Sequence, residues 1–248
     1  MSEKSSRHSR RSRKRRQRKR VPLSGFRTVV VLAGALFFLW LLNQTIHAGM
    51  ATLFVYLSDQ ITEKELPFAQ ERDDKYKIYK DALYMLERAD SWQSGNPDYL
   101  FKMGTHHIRL AALAGEQKRR KAHYRNSIEL YKQITLIRPS WGYPWINQAL
   151  AKHRLGQDIR MIEKDMERAN IFAPLEPGVQ LGVIRLGYRI WDQLSSEMRH
   201  QVQASSDRLF AKPLHRTELL TAARSTQRWD ELERLTRGDP DLQRHWLR

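Results

Sequence analysis

The adjacent pair His106-His107 is the first feature of this 248-residue chain whose residue types suggest chemistry. Neighbours on a helix point about 100° apart, so the two rings cannot share one coordinating face. No second histidine stands four residues from either, and acidic partners are missing nearby. They read as structural or solvated histidines, and no metal site is expected. With no cysteine there is no thiolate nucleophile, zinc–cysteine site or disulfide framework. No serine sits at a nucleophile elbow, and Gly182 to Gly187 lies within an amphipathic helical pattern and follows no strand. No catalytic activity, cofactor or small-molecule substrate is expected.

Two binding-type features remain. Trp141, Tyr143, Trp145 and Trp191 place aromatic rings near inter-helix turns. Such rings stack on sugar faces or anchor partners; equally, they fill the seam between helix pairs, where their polar atoms find backbone partners. Packing is the favoured reading. The second feature is the basic run Lys118-Arg119-Arg120-Lys121. It reads as a solvated loop or helix extension; if functional, it suits an acidic partner, anionic head groups or an acidic polysaccharide.

The elements that must position these residues read as helices throughout, with no alternating strand pattern. Tyr79, Leu83, Leu86 and Ala89 recur at helical spacing, and Asn96-Pro97 offers an N-cap followed by proline at the first helical position. Leu100, Met103 and Leu110 follow, ending near Gly115; then Tyr124, Ile128, Tyr131 and Ile134 close before Pro139. Trp145 to Leu155 is a short helix stopped by Gly156, with Asp158 poised to cap the next, through about Ile171. Pro177 opens a helix carrying Val183, Leu186, Ile190 and Leu194 on one face. Weaker helices follow over Glu197–Phe210, Thr217–Ser225 and Trp229–Thr236.

The charge is uneven. Of 44 Lys+Arg against 27 Asp+Glu, residues 1–27 hold twelve basic residues and one acid, Glu3. Such a tail buries no core and is expected to be disordered. From Thr28 to Ser58 there is no charged residue at all. A spanning helix needs ~20 apolar residues, and Leu32 to Ala51, or a nearby window, meets that need. A cleaved signal peptide is the main alternative, with Gly49 and Ala51 placed like a cleavage site; a buried core helix is a weaker one. The basic flank stays on the cytoplasmic side, which leaves the C-terminal body across the membrane. The tail then serves as a topology signal and a tether to anionic lipid, and nucleic acid is not an expected partner.

Prolines near the ends of helix pairs, at 97, 139 and 174, are 42 and 35 residues apart, the second close to the tetratricopeptide period. Trp145 stands where that consensus has its Trp, and Gly104 where it has its Gly. The stretch Arg138-Pro139-Ser140-Trp141-Gly142-Tyr143-Pro144-Trp145 is followed by Ala149-Leu150-Ala151-Lys152. Further on come Ala173-Pro174-Leu175-Glu176-Pro177 and Leu186-Gly187-Tyr188-Arg189-Ile190-Trp191-Asp192-Gln193-Leu194. Over about residues 75–205 this arrangement resembles the VpsP-type proteins associated with bacterial exopolysaccharide biosynthesis. The resemblance implies a membrane-anchored chain with tetratricopeptide-like helices and no assigned catalytic residues.

The expected organisation is a basic cytoplasmic tail (1–27), a transmembrane segment (28–57), a linker (58–74), a tetratricopeptide-like all-α domain (75–210) and a C-terminal helical extension (211–248). The expected role is that of a non-catalytic, single-pass scaffold in the bacterial inner membrane, with its body in the periplasm. It would hold other proteins of a polysaccharide synthesis or export complex. A membrane-tethered nucleic-acid-binding protein using the Arg-rich arm, or an envelope-assembly adaptor unrelated to polysaccharide, are the alternatives.

Overall fold

A computed structural model describes residues 24–246, and among these every regular element is helical. The expected disordered tail falls, up to residue 23, outside the described residues. The chain divides into two compact units between Ile46 and His47.

The first unit contains the N-terminal part of α1 (Ser24–Glu65). From Gly25 to Ile46 every residue is exposed, including the run from Val29 to Leu42. This helix is long and apolar enough to cross a membrane. About 22 residues at ~1.5 Å rise give roughly 33 Å, close to a ~30 Å hydrocarbon core.

In the second unit one face of the remainder of α1 touches protein. Ala51 and Ser58 are fully buried, Lys102 donates to both carboxylate oxygens of Asp59 at 2.6 and 2.7 Å, and the Arg88 guanidinium lies 5.3 Å from the centre of the Phe54 ring. Of the segment expected as a linker (58–74), residues 58–65 continue α1 and residues 72–74 begin the next helix. The fully exposed stretch of α1 stops at Ile46, helix continues through Glu65, and the break before the next α-helix is confined to residues 66–71. Within residues 47–57 only Ala51 is buried; Leu53, Tyr56 and Leu57 on the other face stay exposed.

The helices that follow are α2 (Arg72–Trp92), α3 (Pro97–Leu113), α4 (Gln117–Ile137), α5 (Gly142–Leu155), α6 (Ile159–Phe172), α7 (Pro177–Arg189), α8 (Ser196–Phe210), α9 (Pro213–Ser225), α10 (Trp229–Thr236) and α11 (Pro240–Trp246). They form a tetratricopeptide-like stack of antiparallel hairpins, α3 with α4, α5 with α6, α7 with α8 and α9 with α10. Hairpins begin at 97, 142, 177 and 213, so the second and third repeat with periods of 35 and 36 residues. Proline at the first helical position opens α3, α7 and α9, where its missing N–H costs nothing. Asn96 accepts a hydrogen bond from the Asp98 N–H at 3.0 Å and Asp158 from the Arg160 N–H at 2.7 Å; Gly156, at φ +70°, ends α5. Two connections differ from the sequence expectation. α9 starts four residues before Thr217, and α7 ends at Arg189, leaving Ile190 and Leu194 buried in the turn. The chain must break there because the Ser195 side chain caps α8 by accepting from the Met198 N–H.

One core runs through α5 to α10 and includes Trp145, Met166, Ile184, Val202, Leu220 and Leu232. Residues 211–236 thus complete this core as a further hairpin. Close helix approach depends on small residues: a Cβ on Gly104 would stand 2.8 Å from the Tyr131 ring, and one on Gly187 2.6 Å from Val202 Cγ2. The last hairpin is joined by a buried polar network. The Tyr188 hydroxyl donates to Glu231 Oε1 at 2.9 Å, Glu231 is held by two bonds from Arg234, and Arg234 also pairs with Asp207 at 2.8 Å.

Because hairpins alternate in direction, their connections fall on two opposite edges. Residues 93–96, 138–141, 173–176 and 211–212 lie on one; 66–71, 114–116, 156–158, 190–195 and 226–228 lie on the other.

His106 and His107 are packed into the α2–α3–α4 seam with His123, which the sequence reading did not single out. His107 Nδ1 meets His123 Nδ1 at 3.0 Å, and His123 Nε2 meets the Tyr76 hydroxyl at 3.1 Å. One nitrogen of the Nδ1 pair must be an unprotonated acceptor. Burial holds His106 and His107 down to about 4, with neighbouring His123 adding to the effect on His107. An unfolded chain protonates these rings near 6.5, well before the folded chain does. Stability is therefore full above pH 6.5, is lost as pH falls from about 6.5 toward 4, and stays lost below. Urea-unfolding midpoints between pH 7.5 and 4.5 should fall steeply for the native chain and more gently for a His106→Gln/His107→Gln variant.

Candidate functional site

A groove of about 750 Å³ lies between α4 and α6, floored by α5. Its position follows from helix spacing: α5 contacts both neighbours along its length, and α4 and α6 remain apart above it. Trp145, Ile128 and Phe172 supply apolar surface, with exposed Leu136 and Met161 on its rims. Lys132, Lys164 and Arg168 supply positive charge, with Glu129 as the acid at the mouth.

At the floor Lys152 Nζ and Asp165 Oδ2 form a buried ion pair at 2.7 Å. Burial pushes the Asp165 carboxyl up, and the Lys152 ammonium, by hydrogen bond and charge, pulls it back down. Beside this pair the Gln148 and Gln157 side-chain oxygens are buried without a protein partner. Removing one member of such a pair strands an uncompensated buried charge, which costs about 3–5 kcal/mol, whereas a matched apolar pair is often neutral. Lys152→Ala should lose about 3–5 kcal/mol in chemical denaturation at neutral pH, and Lys152→Met/Asp165→Leu should recover most of it.

The structure brings three of the four sequence-selected aromatics to one place. Trp145 is buried, its indole N–H donates to the Pro139 carbonyl at 2.8 Å, and the Arg168 guanidinium stands 4.5 Å from its ring centre. This is the seam-packing role. Trp145→Ala should cost about 3–5 kcal/mol of stability, read from denaturant midpoints.

Trp141 and Tyr143 are half-buried at the α4–α5 turn. They line a second, shallower cavity of about 480 Å³ with Phe172, Pro174 and Leu175. Trp141 packs on Phe101 with ring centres 4.7 Å apart, and the Tyr143 hydroxyl donates to Glu176 Oε1 at 2.8 Å. Trp191 is elsewhere, on the opposite edge, half-buried with Arg228 4.1 Å and Arg199 5.8 Å from its ring centre. Cation–π contacts of this kind hold the α7–α8 turn against the end of α9.

The basic run Lys118-Arg119-Arg120-Lys121 is exposed in the first turns of α4. Arg120 donates to the Ala114 carbonyl at 3.1 Å, and Arg119 pairs with Glu116 at 3.1 Å. Two of the four cations thus have local structural work, and none lies on the groove.

Lys132, Lys164 and Arg168 were not legible as a group. They stand on two helices, and only the separation of α4 from α6 brings their charge onto one groove. The i, i+4 spacing of Lys164 and Arg168 on a single helical face was the available signal.

No family model and no curated protein sequence matches the chain. Among solved structures, the crystal structure of a thermophilic TPR protein from Thermus thermophilus superposes with a TM-score of 0.49 at 11% identity. The match covers 74% of this chain and 98% of that one.

Proposed function

We propose that this protein is a non-catalytic, membrane-anchored scaffold that holds a partner of a cell-surface polysaccharide synthesis or export complex. Residues 25–46 supply the anchor in the bacterial inner membrane, with the basic tail cytoplasmic and the hairpin stack periplasmic. The polysaccharide assignment rests on the sequence resemblance over residues 75–205. The scaffold assignment rests on the groove between α4 and α6, which offers an apolar floor under three rim cations. That combination suits a partner segment with apolar anchors and acidic flanks, laid as a helix into the groove. Charge at the mouth raises the rate of encounter, and the apolar floor supplies the retention.

The test is a full-length Lys132→Glu/Lys164→Glu variant produced in a polysaccharide-forming host. It should remain in the membrane fraction, keep its helical circular dichroism and thermal midpoint, and reduce surface polysaccharide several-fold without lowering sugar-nucleotide levels. Truncation after residue 58 sets the full loss. Unchanged polysaccharide in a truncation lacking the stack rejects the polysaccharide role; loss on truncation but none in the charge-reversal variant rejects the groove as the partner site.

A further inference from the structure

The two edges of the hairpin stack differ sharply in what they expose. On the edge formed by residues 93–96, 138–141, 173–176 and 211–212, large apolar side chains at the helix ends point into solvent. Leu136, Leu175 and Leu214 are 78, 73 and 85% exposed, and Ile137, Ile171 and Phe172 stand beside them. The half-buried rings of Trp141 and Tyr143 are set among these residues, with the exposed charges Asp98, Arg138, Glu176 and Lys212 between them. The opposite edge carries the basic run 118–121 and the exposed acids Glu71, Glu116, Asp158, Asp192 and Glu197; its large exposed apolar residues are Phe68, Met161 and Trp229.

The apolar edge is also where the chain enters the stack. His47, the first residue of the second unit, has its Nδ1 3.0 Å from the Trp92 carbonyl at the end of α2. From there a row of contacts runs along the same edge. Tyr99 donates to Gln93 at 3.1 Å, Arg138 pairs with Asp98 at 3.1 Å, and Tyr143 bonds Glu176 at 2.8 Å. Pro174 and Leu175 then share a cavity wall with Ala211 and Lys212. The point of covalent attachment to the 25–46 helix and the apolar side chains thus belong to one continuous edge.

We propose that this edge is a second membrane contact, seated in the interfacial layer of the bilayer that the N-terminal helix crosses. The inference rests on the anchor reading given under Proposed function. Its chemistry is that of an interfacial surface: isolated Leu and Ile side chains enter the acyl boundary, Trp and Tyr lie at head-group level, and Lys212 meets lipid phosphates. Exposed apolar side chains grouped around aromatics and cations mark such surfaces in proteins otherwise soluble in water. The polar edge, with its mixed charges, faces away.

The absence of cysteine makes the test direct. Single variants Leu175→Cys, Leu214→Cys, Ser196→Cys and Phe37→Cys of the full chain carry an environment-sensitive fluorophore. Each is reconstituted in phosphatidylcholine–phosphatidylglycerol vesicles with or without brominated lipid. Phe37 reports the anchor and Ser196 the polar edge. Positions 175 and 214 should be quenched by brominated lipid at least about twofold more than position 196, and shielded from aqueous iodide. Lipid quenching at position 37 with none at 175 and 214 overturns the second contact while the anchor stands. Shielding from iodide at 175 and 214 without lipid quenching means that a second copy of the chain covers the edge, which also overturns it. No lipid quenching at position 37 overturns the anchor and this inference together.

Discussion

The architecture turns on the burial of Trp145. Its indole nitrogen is tied to the Pro139 carbonyl, so the α4–α5 turn is fixed relative to the first turn of α5. One side of the ring faces the core shared with α6 and α7, and Arg168 covers it from α6. α5 is consequently enclosed by α4, α6 and α7, and it carries the unusual combination of a buried aromatic, a buried glutamine and a buried ammonium on 14 residues. The groove exists because α4 and α6 both rest on this helix and not on each other. Its floor charges are tolerated because Lys152 and Asp165 neutralise one another at 2.7 Å.

Much of this order was legible in the chain. Local rules found the helix boundaries wherever a single residue type dictates backbone geometry: the caps Asn96 and Asp158, the left-handed Gly156 and the helix-opening Pro177. The aromatic group at the α4–α5 turn was also visible, since Trp141, Tyr143 and Trp145 are neighbours in sequence. What escaped was non-local. His123 is sixteen residues from His107 and meets it only because α3 and α4 fold back on one another. Lys152 and Asp165, thirteen residues apart on different helices, gave no periodic signal. Apolarity alone does not separate lipid contact from protein contact, and the uncharged stretch gives no sign that one face of α1 begins to touch other helices at His47. Ala51 and Ser58, small residues in an uncharged stretch, are buried by protein and give no sign of it in composition.

The two units are stabilised by different physics. The 25–46 segment has no side-chain core, and its helix is stable only where every backbone polar group is best paired within the segment, as in hydrocarbon. The 47–246 segment is a water-stable stack in which each hairpin needs a neighbour to cover its apolar face. The change from one regime to the other occurs inside α1, at His47, where a polar side chain reaches the Trp92 carbonyl.

A stack of similar hairpins has no intrinsic reason to stop, since each exposed end resembles the face that the next repeat would cover. Here the final hairpin is pinned to α7 by Tyr188, Glu231, Arg234 and Asp207, groups that are satisfied in one register and stranded in any other. The network therefore sets the register of α10 on α7 and α8: a slip of the last hairpin along the stack would leave Glu231 and Arg234 buried without Tyr188 and Asp207.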